Sequence, residues 1–137
     1  MKKAPVISAK NLCIGYNSGK KGEKRIHEHI ALDLFPGELT CLLGPNGAGK
    51  STLLRTMAAS QPPIEGTLEL EGKILSRYSE RELSRKIGVV LTDKTQTGGL
   101  SVYELVSLGR QPHTGFFGRL NRHDKEIVEE SIEAVGI

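Results

Sequence analysis

The central stretch of the chain reads Gly44-Pro45-Asn46-Gly47-Ala48-Gly49-Lys50-Ser51-Thr52. It matches the phosphate-binding loop pattern G-x-x-x-x-G-K-[ST]. Glycines let the backbone turn tightly, so that successive N–H groups point at phosphate oxygens. We expect the Lys50 ammonium to reach the β- and γ-phosphates and the Ser51 hydroxyl to bind Mg²⁺. The alternative is a glycine-rich turn that binds nothing, and the flanking segments disfavour it.

The segments on either side of the loop supply the context that the motif requires. Residues 39–43 are a short apolar run, which predicts a buried parallel strand. Residues 51–59 contain good helix formers and no breaker, and they predict a helix with Leu53, Leu54 and Met57 on one face. The N-terminus of that helix adds a positive partial charge to the phosphate site.

The remainder of the chain alternates between strand and helix patterns. Strands are predicted over 6–16, 30–34, 66–70, 73–75 and 87–91, the third and fourth forming a hairpin. Helices are predicted after the capping boxes Ser79-x-x-Glu82 and Ser101-x-x-Glu104, the second ending at Gly109, and over 124–135. In the last helix Ile127, Val128, Ile132 and Val135 should be buried, and Glu129, Glu130 and Glu133 solvated. This order predicts an α/β sheet with an antiparallel part.

Composition sets limits on the class of protein. The sequence has 137 residues, 37% of them hydrophobic, and a net charge of +3. It contains no apolar run long enough to span a bilayer, and its first residues do not resemble a signal peptide, so we expect a soluble, intracellular protein. The basic cluster over 20–25 is interpreted as a solvated loop, and no nucleic-acid partner is expected.

Cysteines and histidines give no metal-binding pattern. Cys13 and Cys41 lie in apolar segments and are expected to be buried free thiols. His27 and His29 lie two residues apart, a spacing that would place both on one side of a strand. We interpret them as solvated loop residues and not as a metal site, because no third ligand lies nearby in the sequence.

The order of these motifs is familiar. Tyr16 at the end of an early strand, then Pro36-Gly37-Glu38, then residues 43–54, closely resemble the nucleotide-binding subunit of ATP-binding-cassette transporters. Residues 100–110 and 118–120 resemble the importer ATPases that serve iron-siderophore, haem and cobalamin uptake. The resemblance implies an α/β fold, a P-loop NTPase (ABC ATPase) core with an N-terminal antiparallel β part, truncated before the later core strands. It implies that residues 1–95 form the N-terminal part of the ATP-binding core and residues 96–137 the start of the helical subdomain.

The resemblance also implies roles for individual residues, with ATP and Mg²⁺ bound together. Tyr16 would stack on adenine. Lys50 would neutralise charge on the γ-phosphoryl group, and Ser51 would bind Mg²⁺. The backbone amides that would cradle the phosphates belong to Asn46, Gly47, Ala48, Gly49, Lys50, Ser51 and Thr52.

In two places the chain departs from the family pattern. The family has a Mg²⁺-binding glutamine where this sequence has Thr92, and Gln96 comes four residues late. Thr92 or Asp93 could take that role, or this loop could make no metal contact. The family's catalytic glutamate, signature motif and switch histidine do not occur in these residues. We therefore expect no catalytic residue within this chain, weak nucleotide binding at most and negligible turnover.

The leading hypothesis is the energy-coupling ATPase subunit of an importer, cytoplasmic and peripheral on the inner face of the plasma membrane. Its partners would be a membrane permease subunit and a second ATPase subunit. Phe116-Phe117 would suit a permease contact as an exposed apolar anchor, although core packing is an equal alternative. The competing hypotheses are a soluble cassette ATPase that acts on nucleic acid or ribosomes, and a non-catalytic P-loop nucleotide-binding module.

Overall fold

The structure is a computed structural model that describes residues 3–17, 22–90, 98–115 and 117–137. The chain forms two compact units, Met1–Leu83 and Ser84–Ile137. The predicted division into residues 1–95 and 96–137 stays a prediction.

The first unit contains a four-stranded antiparallel sheet in the order β2-β1-β3-β4. Its strands are β1 (Ile7–Asn17), β2 (Glu23–Leu34), β3 (Glu65–Leu70) and β4 (Lys73–Ile74). Strand β1 lies between two neighbours, since Ile7 pairs with Leu34 of β2 and with Leu70 of β3. For this reason β1 supplies much of the core, with Ala9, Leu12, Cys13 and Ile14 almost fully buried.

Strand β2 is longer than the sequence predicts, and this corrects two expectations. Residues 23–25 of the basic cluster are part of the strand, where Lys24 pairs with Tyr16 and Arg25 with Gly15. His27 and His29 are exposed, as expected, and both lie in this strand, so only their assignment to a loop is wrong. The prediction failed because this polar segment has no clear hydrophobic alternation. Its structure comes from backbone pairing with β1.

The hairpin of β3 and β4 confirms its prediction. Its two-residue turn, Glu71-Gly72, has φ values of 50° and 76°, the left-handed geometry that suits the twist of a hairpin. A 3₁₀ turn (Leu75–Arg77) and helix α2 (Glu80–Ser84) follow. The capping box before α2 is also confirmed, because the Glu82 N–H donates to Ser79 Oγ (3.3 Å) and the Ser79 N–H to Glu82 Oε2 (2.7 Å).

Two predicted strands do not form in this structure. Residues 39–43 and 87–90 are not part of any strand, and neither segment pairs with another in the described part of the chain; Leu91 lies outside it. Leu39, Leu43 and Val90 are 93%, 88% and 98% exposed. Cys41 is exposed too, against the expectation of a buried thiol, whereas Cys13 is buried. A buried parallel strand requires neighbours on both sides, and an apolar run does not provide them by itself.

Helix α1 (Lys50–Met57) begins directly after the glycine-rich loop, as predicted, and its buried face matches the predicted one only in part. Thr52, Leu53 and Thr56 are buried, while Leu54 is 53% exposed. The buried hydroxyl of Thr56 donates to the carbonyl oxygen of Thr52 at 2.9 Å, which satisfies its polar group within the helix.

The second unit is helical, with α3 (Val102–Leu108), a 3₁₀ turn (Gln111–His113) and α4 (Arg122–Ala134). The capping box Ser101–Glu104 is confirmed at the start of α3. In α4 Val128 is fully buried, but Val135 is 68% exposed and contradicts its prediction. Ile127 and Ile132 are half-buried, and the three glutamates expected to be solvated, Glu129, Glu130 and Glu133, are exposed.

One ion pair joins the two helical segments of this unit. Arg110 Nη2 lies 2.8 Å from Asp124 Oδ1, and the side chain of Asp124 is almost fully buried. The Arg110 guanidinium, together with the Asn121 backbone N–H, lowers the pKa of Asp124 below its ordinary value. Phe117 is 85% exposed, whereas Phe116 lies outside the described residues. Within the described ranges, no helix combines the length and the apolar character needed to cross a membrane.

Candidate phosphate-binding site

The glycine-rich loop adopts the backbone geometry that a phosphate-binding nest requires. Gly47 and Gly49 have φ values of 81° and 78°, which residues other than glycine rarely adopt. Gly49 is also the N-cap of α1, and its carbonyl accepts the Leu53 N–H at 2.9 Å. Because glycine has no side chain to cap the helix, the N–H groups of the first turn face the loop without a built-in acceptor.

Lys50 lies across this loop. Its ammonium donates to the carbonyl oxygens of Gly44 and Pro45, both at 2.7 Å. An ammonium has three N–H donors. Among the described contacts two are used, and the third is available for an anionic oxygen. Lys50 is therefore held in place by the loop. The loop and Lys50 are predicted to bind the same phosphate groups.

Strand β2 packs against the loop. His27 Nε2 lies 2.8 Å from the carbonyl oxygen of Ala48. A Cβ atom at Gly49 would come within 2.6 Å of Ile26 Cγ2 and 3.0 Å of His27 Cδ2, so the strand and the loop touch closely there. Sequence reasoning missed both β2 residues. Ile26 lies 23 residues before Gly49 and His27 lies 21 residues before Ala48, and no local pattern indicates that the chain returns to the loop.

Tyr16 approaches the same region from the end of β1. Its hydroxyl lies 2.8 Å from Thr52 Oγ1, and the residue is 41% exposed. The hydrogen bond ties the ring to the first turn of α1, while part of the ring remains open to solvent. This leaves a planar apolar surface next to the loop, which is what stacking on a purine would need.

These groups surround a cavity of about 330 Å³. Its lining consists of Tyr16, Ile26, Asn46, Gly47, Gly49, Lys50, Ser51 and Thr52. The structure thus brings together every predicted binding residue except Ala48, whose carbonyl oxygen faces His27. The individual roles of these residues stay predictions.

The metal-binding predictions fall partly outside the described residues. Ser51 is exposed in the first turn of α1, but Thr92 and Asp93 lie in the range 91–97, which is not described. Within the described residues no three His, Cys, Asp or Glu side chains form a metal-binding group. Mg²⁺ at a triphosphate is held largely by phosphate oxygens and water with one or two protein ligands, so a single hydroxyl at this position fits its chemistry.

Known proteins resemble this chain over most of its length. The sequence profile of the family described as ABC transporter matches residues 27–137. The ferric enterobactin transport ATP-binding protein FepC of Escherichia coli is 35% identical over 96% of this chain and 46% of that protein. The iron(3+)-hydroxamate import ATP-binding protein FhuC of Bacillus subtilis is 36% identical over 96% of this chain and 47% of that protein. The chain therefore spans about half the length of these curated relatives.

The fold also has solved counterparts. The dimeric structure of MJ0796, a bacterial ABC transporter cassette, superposes with a TM-score of 0.74 at 23% identity, over 94% of this chain and 55% of that one. The fold is accordingly that of ABC ATPase domains, a P-loop NTPase fold with an antiparallel β part, as predicted. From the match over residues 27–137, together with the loop and cavity described above, the chain belongs to the ABC transporter family.

Proposed function

We propose that this chain is the N-terminal part of an ATP-binding and ATP-hydrolysing subunit of an ABC importer. One observation carries the proposal: the 330 Å³ cavity combines the glycine-rich loop, the N-terminus of α1, Lys50 and the partly exposed Tyr16. In this proposal residues 1–95 belong to the ATP-binding core and residues 96–137 begin the helical subdomain.

The phosphate end of the nucleotide would lie against the loop and α1. Backbone N–H groups of residues 46–52 would donate to phosphate oxygens, and the helix N-terminus would favour their negative charge. Lys50, already tied to the carbonyls of Gly44 and Pro45, would direct its remaining N–H at the terminal phosphates.

Mg²⁺ would bind between the phosphates and the Ser51 hydroxyl, with Thr92 or Asp93 as a second protein ligand. When bound, the ion neutralises phosphate charge and orients the terminal phosphoryl group. Ser51 would hold the ion from the first turn of α1, which places it beside Lys50.

The adenine would stack on Tyr16. Its hydroxyl is engaged by Thr52, so the ring cannot swing freely, and a ring fixed before binding loses less entropy when the base arrives. Stacking recognises a flat purine rather than its hydrogen-bonding edge, so we expect modest selectivity between ATP and GTP.

Hydrolysis would require groups beyond this cavity. Among the described residues that line it, none carries a carboxylate that could act as a general base. We infer that a second ATPase subunit and residues outside this chain complete the site. The chain by itself should bind nucleotide weakly and release phosphate at a negligible rate. Steady phosphate release that Lys50→Ala abolishes would overturn this part of the proposal.

The transported compound is proposed from the relatives. Proteins named for ferric enterobactin and iron(3+)-hydroxamate transport are 35% and 36% identical to this chain, which supports an iron-siderophore importer, with haem and cobalamin import as the alternatives. The subunit would work on the cytoplasmic face of the plasma membrane, docked on a permease. Phe117, exposed in the second unit, is a candidate contact for that permease.

Nucleotide binding is tested by titrating the chain with a fluorescent ATP analogue. Wild type should give a saturable signal that unlabelled ATP displaces, and Lys50→Ala should bind much more weakly. Equal binding by both proteins would contradict the proposed site. The transport role is tested by affinity purification of the full-length protein from its host: a co-purifying permease supports it, whereas ribosomes or DNA would point to the soluble class of cassette ATPase.

A further inference from the structure

His27 contacts the phosphate-binding loop from outside the cavity. Its Nε2 atom lies 2.8 Å from the carbonyl oxygen of Ala48. A carbonyl oxygen only accepts hydrogen bonds, so the proton must be on Nε2, and the imidazole donates to the loop. His27 is therefore fixed as a donor toward one particular peptide group, the one that joins Ala48 to Gly49.

This peptide group has a second polar end. The Ala48–Gly49 bond is trans, so its C=O and its N–H point in opposite directions. With the carbonyl held toward His27, the Gly49 N–H points away from β2. Gly49 lines the cavity and Ala48 does not, which agrees with this orientation.

The peptide on the other side of Gly49 is fixed by a different element. The Gly49 carbonyl accepts the N–H of Leu53 at 2.9 Å, the first hydrogen bond of α1. The helix thus fixes the orientation of the peptide group after Gly49, and His27 fixes that of the peptide group before it. Two other contacts restrain the Ala48 side of Gly49: the Ala48 N–H donates to the Pro45 carbonyl oxygen at 3.3 Å, and Ile26 packs against Gly49. Neither of them bonds to the Ala48 carbonyl, and Gly47 and Gly49 both adopt left-handed backbone geometry that leaves this peptide group free to turn.

We propose that His27 is a positioning residue for the phosphate site: its Nε2–H holds the Ala48 carbonyl outward so that the Gly49 N–H is directed at a bound phosphate. This inference rests on the proposed nucleotide binding and deepens it. His27 does not touch the phosphate. Its contribution is to fix a donor in advance, which lowers the entropic cost of binding the anion. Since it acts on phosphate and not on the base, removal of the imidazole should weaken ATP and inorganic tripolyphosphate equally.

The sequence offers a direct probe of this donor. Ala48-Gly49 is the one Ala-Gly pair in the 137 residues. Protein labelled with carbonyl-¹³C alanine and ¹⁵N-glycine therefore gives a single amide signal in a spectrum filtered for that pair, and it belongs to Gly49. Sodium tripolyphosphate, which has no base to contact Tyr16, is then titrated into wild type, His27→Leu and His27→Gln. His29→Asn is the matched control, because His29 lies in the same strand but bonds to Asn11 Oδ1.

In wild type the Gly49 signal should move saturably. His27→Leu should need about fivefold more tripolyphosphate, the effect expected for one net hydrogen bond. His27→Gln, whose amide can donate in place of Nε2–H, should recover most of the loss, and the His29 variant should match wild type. The thermal unfolding temperature of each variant is measured alongside the titration. If His27 merely stabilised the fold, the variants would differ in that temperature; a positioning role predicts weaker binding in His27→Leu, and its recovery in His27→Gln, at an unchanged unfolding temperature.

Three results would overturn the proposal. His27→Leu could titrate like wild type, or His27→Gln could be as weak as His27→Leu; either would remove the donor role while leaving the phosphate site intact. If the wild-type Gly49 signal does not respond to tripolyphosphate at all, both the role of His27 and the proposed nucleotide site fail.

Discussion

The hydroxyl groups of Tyr16 and Thr52 lie 2.8 Å apart, so the end of strand β1 is tied to the first turn of helix α1. Thr52 is itself buried, and its carbonyl accepts the Thr56 hydroxyl. A ring proposed to contact the base is thus anchored to the helix whose N-terminus is proposed to contact the phosphates. The base and the phosphates of the nucleotide would thus be bound by two elements, β1 and α1, that are joined by this hydrogen bond.

Removal of the Tyr16 ring should weaken ATP binding without affecting tripolyphosphate binding. Stacking of a base on an aromatic side chain is worth about 1–3 kcal/mol, so Tyr16→Ala should raise the Kd for ATP by roughly 5- to 150-fold. Calorimetric titration with both ligands measures this. Tyr16→Phe is the control because it keeps the ring and loses the bond to Thr52. An alanine variant that binds ATP like wild type would exclude Tyr16 from the site.

Loss of the Lys50 ammonium should weaken ATP and tripolyphosphate together. A hydrogen bond to a charged group contributes about 1.5–3 kcal/mol, which corresponds to roughly 10- to 150-fold in Kd. The same titration measures it in Lys50→Ala. Lys10→Ala is a suitable control, since Lys10 is an exposed lysine that pairs with Glu69 on the sheet. Equal losses in both variants would mean that only net charge matters, against a specific role for Lys50.

The two left-handed glycines of the loop should differ in their tolerance of a side chain. Gly47→Ala meets no atom within 4 Å and should cost only the backbone strain of φ 81°, about 1–2 kcal/mol. Gly49→Ala carries similar strain and also brings its Cβ within 2.6 Å of Ile26, which adds about 1–3 kcal/mol of overpacking. Urea unfolding of the two variants measures the difference.

Removal of the Ile26 side chain provides the control for the two glycine variants. Ile26→Ala combined with Gly49→Ala should recover part of the additional loss, because the clashing methyl group is gone. If Gly47→Ala and Gly49→Ala are equally stable, the close contact between Ile26 and Gly49 in the structure is contradicted.

Stability at acid pH should depend on Glu82. Hydrogen bonds from the Ser79 backbone and hydroxyl, and then Lys73, lower the pKa of Glu82 from 4.5 to about 2. A carboxyl whose pKa is lower in the folded state stabilises the fold above its unfolded pKa, and this contribution disappears as pH falls through the folded value. The contribution of Glu82 should thus be complete above pH 4.5 and decline toward pH 2.

The measurement is the urea midpoint of wild type and Glu82→Gln across that window. The wild-type midpoint should fall more steeply with decreasing pH, and the two proteins should converge near pH 2. Parallel curves over the whole range would contradict the capping role of Glu82. Glu126→Gln is the control variant, because it removes an exposed carboxylate in the other unit.

Local patterns in the sequence predicted much of the structure. The loop over 44–52, the start of α1 and the capping boxes at Ser79 and Ser101 all depend on residues within one or two turns of each other. The Glu71-Gly72 hairpin turn is local in the same sense. In each case a side chain or a glycine satisfies the geometry of its immediate neighbours, so the short stretch contains all the physical information needed.

Long-range contacts explain the errors. The apolar runs over 39–43 and 87–91 read as strands, yet a strand exists only where another backbone hydrogen-bonds to it, and none does so here within the described residues. Conversely, the polar first half of β2 is a strand because β1 pairs with it. The burial of Thr52 and Thr56 in place of Leu54 likewise depends on which face of α1 the sheet covers.

The sequence by itself determined that the chain carries a glycine-rich loop at a helix N-terminus, with Lys50 and Ser51 adjacent, because glycine conformation and helix geometry are properties of consecutive residues. Only the tertiary structure decided that Ile26 and His27 press on that loop and that Tyr16 is bonded to Thr52. Those contacts join segments that are 21 to 36 residues apart, where the chain must fold before the side chains can meet.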